Sequence, residues 1–402
     1  NSDTHFLSEA IKSVKSQSYK NWQLCISDDG STQEKVLRYL KQLADAEGVD
    51  IVFSEENGHI SKATNLGISL AKGEFITFLD HDDLLHPHAL ALVIAKLNDT
   101  PELDLIYTDE DKIDGQGNRS EPNFKPGWSP DLLLSQNYIC HLAVFRKSIV
   151  MEVGGLREGF EGAQDYDLLL RVTEKSQKIE HIPMVLYHWR AIQGSTALAS
   201  SEKNYAHEKA SLALEETIQR RGIEAKVLSS GIGAYHRIQY DISSPEPLVS
   251  IIIPTRDHLE VLKTCIDGIV NRTDYNNWEL LIVDNDSQEE ETKEYFNEIL
   301  SENIRILKFP GKFNYSAINN YGARKAKGKV LLLLNNDVEV IDANWLTELV
   351  SHAMRKEIGA VGARLYYPDD HVQHDGIVVG IGGVAGYAHP RLGRSAVGPF
   401  GG

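Results

Sequence analysis

Three carboxylates stand within four positions at Asp80-His81-Asp82-Asp83, directly after the apolar run Phe75-Ile76-Thr77-Phe78-Leu79. The run reads as a buried strand, so the acids crowd one strand end, where like charges repel unless a cation joins them. Hard oxygen donors of this kind suit magnesium or manganese, which keep positions open for a substrate's phosphates. The plain alternative is a solvated turn that caps the next helix ahead of Pro87. A second acidic pair, Asp28-Asp29, ends another strand-like run, Gln23 to Ser27. Parallel strands of an α/β sheet bring their carboxyl ends to one edge. There, one acid pair can accept a hydrogen bond from a base N–H while the other set holds a metal.

The elements that must position these acids occur twice. Trp22-Gln23-Leu24-Cys25-Ile26-Ser27-Asp28-Asp29-Gly30-Ser31 returns as Trp278-Glu279-Leu280-Leu281-Ile282-Val283-Asp284-Asn285-Asp286-Ser287, 256 positions on. Ala71-Lys72-Gly73 and the strand to Asp82 return as Ala326-Lys327-Gly328 and the strand to Asp337, 255 positions on. A period this long lies far outside the roughly 20–50 residues of solenoids, so each copy is expected to be a fold of its own. In the first copy, strand (23–27), helix (33–46), strand (50–54), helix (61–71) and strand (74–79) alternate as a parallel doubly wound sheet requires. The second copy opens with the buried-strand run Val249–Pro254 and a helix over about 259–270, and then repeats that order.

Aligning Leu7–Ile11 with Leu262–Ile266 places Asn1 opposite Arg256 or Asp257, so the first copy's opening strand is expected upstream of this chain. The second copy has 65 residues after Asp337 where the first has about 160 after Asp82, so it is expected to lack its C-terminal half. The expected domains are residues 1–240, with an amphipathic helix at about 203–221 that joins the copies, and 245–402, beyond the turn-rich Ser243-Ser244-Pro245-Glu246-Pro247. From Gly380 on, the glycine-rich stretch reads as loop.

Composition bounds the partners. A formal charge of −17 repels a phosphate backbone, and no basic cluster offers a local exception, so nucleic acid is excluded as the expected partner. Cys25, Cys140 and Cys265 are widely separated and suggest neither a disulfide framework nor a zinc site. No apolar run approaches the roughly 18 residues of a membrane span, and residues 1–15 lack a signal-peptide core. The expectation is a cytoplasmic protein, with peripheral contact at the inner face of the plasma membrane left open.

A strand ending in Asp-Asp-Gly-Ser, then Asn65-Leu66-Gly67, then Ala-Lys-Gly, an apolar strand and Asp-His-Asp-Asp resembles the family 2 glycosyltransferases of the GT-A fold. Phe124–Asp131, Gln164-Asp165-Tyr166-Asp167-Leu168 and Leu186-Tyr187-His188-Trp189-Arg190 resemble the bacterial, often tandem subset linked to O-antigen and other surface polysaccharides. So do Phe313–Asn320, Leu334–Asp337 and Gln373-His374-Asp375-Gly376 of the second copy. The resemblance implies two tandem GT-A domains, Rossmann-like with a mostly parallel sheet, the first without its first strand and the second without its C-terminal half. It also implies metal-dependent inverting transfer from a nucleotide sugar, with Mn or Mg, a UDP or dTDP donor, and a glycan acceptor, lipid-linked or free.

Residue by residue, the resemblance puts Asp28 and Asp29 at the base, Lys62 near the ribose or diphosphate, and Asp80 near the ribose. Asp82 becomes a metal ligand, with His188 as an extra one, although a histidine beside aromatics is also an ordinary packed residue. Asp165 becomes the general base for the acceptor hydroxyl, because a single in-line displacement needs one carboxylate to take that proton. N-cap of a helix over 166–174 is its plain reading, and the two roles are compatible. Asp109, Glu110, Gln164 and Trp189 fall on the acceptor side, against a solvated turn for the acids and core packing for the tryptophan. In the second copy, Asp284 and Asn335 would bind nucleotide and Asp337 metal, but no counterpart of Gln164-Asp165 precedes Gly402, so that copy is expected not to catalyse. Two other readings stay open: a glycan-binding or scaffold module, and a sugar-phosphate nucleotidyltransferase, whose glycine-rich phosphate loop Pro254-Thr255-Arg256-Asp257 does not provide.

Overall fold

The computed structural model describes residues 2–44, 46–191, 200–230, 235–380, 383–389, 391–394 and 396. They form two compact units, Asn1–Ile238 and Gln239–Ala396. The first begins α1 (Thr4–Lys15), β1 (Leu24–Asp28), α2 (Glu34–Leu43), β2 (Val49–Phe53), α3 (His59–Leu70), β3 (Phe75–Thr77), β4 (Leu84–Leu85) and α4 (Ala89–Asp99). It continues β5 (Leu105–Ile113), β6 (Arg119–Asn123), α5 (Pro130–Ser135), β7 (Ala143–Arg146), α6 (Lys147–Glu152), α7 (Gln164–Lys175), β8 (Ile179–Arg190), α8 (Ser200–Arg220) and β9 (Ala225–Ser229), and the chain leaves it through β10 (His236–Tyr240).

Helix α1 forms because Leu7, Ala10, Ile11 and Val14 recur at helical spacing and are all buried, while Asp3 caps its start by accepting the His5 N–H at 2.8 Å. In α8, Leu214 and Ile218 of the expected apolar face are likewise buried. β1 pairs in parallel with β2, and a mixed sheet runs β3-β7-β5-β8-β4, with β5 and β8 parallel and β6 antiparallel to β5. β5 lies inside this sheet and is buried on both faces, so even its acids, Asp109, Glu110 and Asp111, point into protein.

The second unit contains β11 (Val249–Thr255), α9 (Leu259–Arg272), β12 (Trp278–Asp284), α10 (Glu290–Ile299), β13 (Ile304–Lys308), α11 (Tyr315–Ala323), β14 (Val330–Leu333) and α12 (Trp345–Ala353). Short strands β15 (Leu365–Tyr366), β16 (Val372–His374), β17 (Ile377–Val379) and β18 (Ala385–Tyr387) follow. Its main sheet, β13-β12-β11-β14, is wholly parallel. Ile251, Ile252, Ile253 and Leu280 to Val283 are completely buried, as expected of parallel strands covered on both faces. Gly322 of α11 lets that helix lie close on the sheet, since a Cβ there would meet Ile252 Cγ2 at 2.6 Å. The glycine-rich stretch read as loop instead contributes β18 to a hairpin with β17, turned by Gly380 and Gly383 at positive φ. Among the described residues, no helix is long and apolar enough to cross a membrane.

Candidate active site

Strand β8 organises the acidic turn that follows β3. Its side chains alternate between the two sheet faces. Tyr187 and Trp189 lie on one face, where His141 stacks on Tyr187 at 4.6 Å and meets Trp189 edge-on at 6.3 Å. The Tyr187 hydroxyl donates to Asp83 Oδ2 at 2.5 Å and accepts the Asp80 N–H at 3.3 Å. Asp83 Oδ1 accepts the Arg190 N–H at 2.7 Å, and the buried Arg190 side chain grips the turn again through Nε to the Asp82 carbonyl at 2.5 Å.

The ligand atoms of Asp80, Asp83 and His141 all lie within 4.8 Å of one another. Asp80 is exposed, Asp83 buried and His141 intermediate, so the group opens to solvent on one side. Burial pushes the Asp83 carboxyl up to about 7, opposed by the Arg190 N–H, reinforced by the charge of Asp80, and further opposed by Tyr187 and His141. Two oxygen donors and an imidazole suit a divalent cation, whose charge would relieve the cost of two adjacent acids.

Two of the expected metal ligands, Asp82 and His188, lie outside this group. Asp82 lies in the turn, its carboxylate 3.8 Å from His81 Nδ1, and it does not belong to the cluster. His188, one residue from Tyr187, falls on the opposite face by strand alternation, where Nδ1 meets Asp111 Oδ1 at 2.5 Å and the ring faces His86. His141 and Asp83 stand beside Asp80 instead. The tyrosine and arginine that hold the cluster sit in the motif Leu186–Arg190, but no periodicity or spacing marked His141.

Asp165 lies in the first turn of α7, whose N-cap is Ala163, so the N-cap role does not hold. Its Oδ2 accepts the Asn137 Nδ2–H at 2.8 Å. Burial raises its pKa, while the charges of His141 and Asp80 are near enough to lower and raise it respectively. Through Asn137, which also takes the Cys140 N–H at 3.1 Å, Asp165 is tied to the turn that carries His141. Behind it, Asp167 is fully buried and takes both Arg157 and Arg171, and Arg171 also binds the Val153 and Gly155 carbonyls, which anchors α7. Gln164 accepts the Gly162 N–H at 2.6 Å, a local turn contact.

Asp109 and Glu110, expected on the acceptor side, are instead only 2% and 6% exposed. The reason is the central place of β5. Asp109 Oδ1 takes the Lys125 N–H at 2.9 Å and His181 Nε2 at 2.8 Å, and Glu110 Oε2 takes Lys125 Nζ at 3.3 Å.

On the expected nucleotide side, Asp29 Oδ1 accepts the Gly58 N–H at 2.7 Å, tying the end of β1 to the start of α3, where Lys62 is exposed beside Gly58. Asp28 is buried and accepts the Ser31 N–H at 3.1 Å. The second unit builds the same corner: Asp284 Oδ1 accepts the Ser287 N–H at 3.0 Å and its hydroxyl at 2.6 Å. Asn336 Nδ2 donates to Thr255 Oγ1 at 3.1 Å, Tyr315 donates to the exposed Asn335 at 3.2 Å, and Asp337 is exposed. All three cysteines are free thiols.

The chain matches the family model "Glycosyl transferase family 2" over residues 1–154 and 250–376. It is 49% identical over 395 residues to an uncharacterized protein of Sinorhizobium fredii, covering 97% of this chain and 43% of that one. It is 42% identical over 398 residues to the O-antigen biosynthesis protein RfbC of Myxococcus xanthus, covering 98% of this chain and 31% of that one. It therefore spans less than half the length of these relatives. Among solved structures, S. aureus TarS 1-349 in complex with UDP-GlcNAc superposes with a TM-score of 0.43 at 16% identity, over 54% of this chain and 69% of that one.

Proposed function

We infer, since this chain belongs to glycosyl transferase family 2, that its first unit transfers a sugar from a nucleoside diphosphate donor to a growing bacterial surface glycan. The carrying observation is the Asp80, Asp83 and His141 group, with Asp165 tethered through Asn137 to the turn that carries His141. Kinship with an O-antigen biosynthesis protein supports the glycan class of the acceptor. Asp28, Asp29 and Lys62 recognise the base and ribose end of a UDP or dTDP sugar. Asp80 and Asp83, with His141 as nitrogen donor, hold Mn or Mg, and Asp82 and His188 support the turn from outside the cluster. A bound divalent cation neutralises the charge that grows on the departing diphosphate. Asp165, raised by burial and steadied by Asn137, accepts the proton of the attacking acceptor hydroxyl, while Trp189 offers an apolar face to the acceptor sugar.

Residues 1–240 and 245–402 are two copies of one GT-A domain. In the second, Asp284, Asn335 and Asp337 bind a nucleotide, but Asn335 and Val338 stand where the first has Asp80 and Asp83. That exchange favours binding without transfer. The protein works on the cytoplasmic side, at or near the membrane that carries its acceptor, where free thiols persist.

The test is thermal stability with UDP, dTDP, GDP and CDP, each with and without Mn2+. A ligand of the folded state raises the melting temperature by mass action. A metal-dependent rise with one nucleotide supports the reading and identifies the donor class, and no rise with any of them overturns it.

A further inference from the structure

Lys125 is among the most deeply buried charges in the first unit, with 1% of its side chain exposed. An ammonium has three protons to donate, and all three are spent: on Glu110 Oε2 at 3.3 Å, on the Ile139 carbonyl at 2.5 Å, and on the His141 carbonyl. Glu110 Oε2 also accepts the His141 N–H at 3.1 Å, and its Oε1 accepts from Asn123 at 3.4 Å. Both main-chain polar groups of His141 are therefore pinned by one buried ion pair. Asp109 fixes the other end of this pair's frame through the Lys125 N–H. Next to His141, Cys140 is held at φ +39°, a left-handed conformation uncommon for a residue with a side chain.

A buried ion pair is a poor device for stability alone, since desolvation offsets most of its attraction and apolar replacements often fold as well. What this pair supplies is the place of one backbone segment. We propose that Glu110 and Lys125 are positioning residues that hold the His141 imidazole in the Asp80–Asp83 cluster, and so set its affinity for a divalent cation. This rests on the metal reading given above. The support is carried from β5, an inner strand, across a covered face to the His141 loop, in the way that outer partners orient metal ligands elsewhere.

The test is Mn2+ binding followed by electron paramagnetic resonance, with Mn2+ alone as probe, in the full chain. H141N and the double variant E110Q/K125M are expected each to weaken Mn2+ binding by about tenfold or more. Adding E110Q/K125M to H141N is expected to cost nothing further, since the pair acts through that ring. E110D keeps the charge but withdraws it by one methylene. It serves where the double variant does not fold, and it is expected to weaken Mn2+ binding while binding of UDP alone stays unchanged. A folded E110D or E110Q/K125M with wild-type Mn2+ affinity, or effects additive with H141N, overturns the proposal while leaving the metal reading intact. A wild-type chain that binds no Mn2+ overturns both.

Discussion

Asn137 holds two partners at once: its Nδ2–H donates to Asp165 at 2.8 Å and its Oδ1 accepts the Cys140 N–H at 3.1 Å. The candidate base on α7 and the turn that carries His141 thus share one tether, so a change at Asn137 is felt on both sides of the site.

Asp165→Asn is expected to lower turnover by about 10²–10⁴-fold, the usual worth of a positioned general base, with donor affinity unchanged. Asn137→Ala keeps the carboxylate but removes a hydrogen bond that favours its charged form. Since Asp165 already titrates above its ordinary range through burial, the acid limb of the rate profile should move to still higher pH. Steady-state kinetics across pH check both, and an unmoved limb would count against Asp165 as the base.

Asp83 gives a pH signature. Its carboxyl titrates near 3.8 when unfolded and at about 7 in the fold, so between those values the folded chain holds the extra proton. Stability from this group is complete below about 4 and is lost as pH rises to about 7. The stability of wild type relative to Asp83→Asn should therefore fall over that interval. A cation reverses the preference, so the Mn2+-induced rise in melting temperature should be larger at pH 8 than at pH 6.

His236 should behave in the opposite sense. Burial, and then the neighbouring His207, lower its pKa from 6.5 to about 4, and it bonds Ser211 Oγ at 2.8 Å. The neutral ring suits the fold, so its contribution is present above 6.5 and is lost as pH falls toward about 4. His236→Gln should flatten the decline in urea midpoint between pH 7 and pH 4.5 compared with wild type.

Gly155 stands at φ +70°, and a Cβ there would lie 2.5 Å from Asn65 Oδ1. Asn65 uses that oxygen for the Leu156 N–H at 2.9 Å and its amide for the Leu156 carbonyl at 2.7 Å. Gly155→Ala combines backbone strain with loss of this pairing, and should cost about 1–3 kcal/mol in urea unfolding.

Much of this protein was legible before its coordinates. The repeat located the second parallel sheet, and the apolar runs Leu24–Ser27 and Val249–Pro254 became strands because β-branched and apolar residues in short runs have few other stable places. The acids at strand ends were legible for the same reason, since a strand that is buried along its length exposes polar residues only where it stops. The burial of Asp109 and Glu110 was not legible, because neighbouring acids read as a solvated or substrate-facing turn unless one knows that β5 is covered on both faces.

Sequence by itself therefore determined the order of strands and helices and singled out the carboxylates Asp80, Asp82 and Asp165 as candidates for chemistry. Tertiary structure decided that His141, not His188, lies beside Asp80 and Asp83. His188 and Tyr187 are neighbours in the chain, but a strand sends successive side chains to opposite faces. Which face meets the Asp80 turn depends on the pairing of Leu84 with His188 and on the stacking of Tyr187 with His141, 46 positions earlier. Such a contact between distant segments is set by sheet register and by the Glu110–Lys125 pair, and local residue patterns carry no record of either.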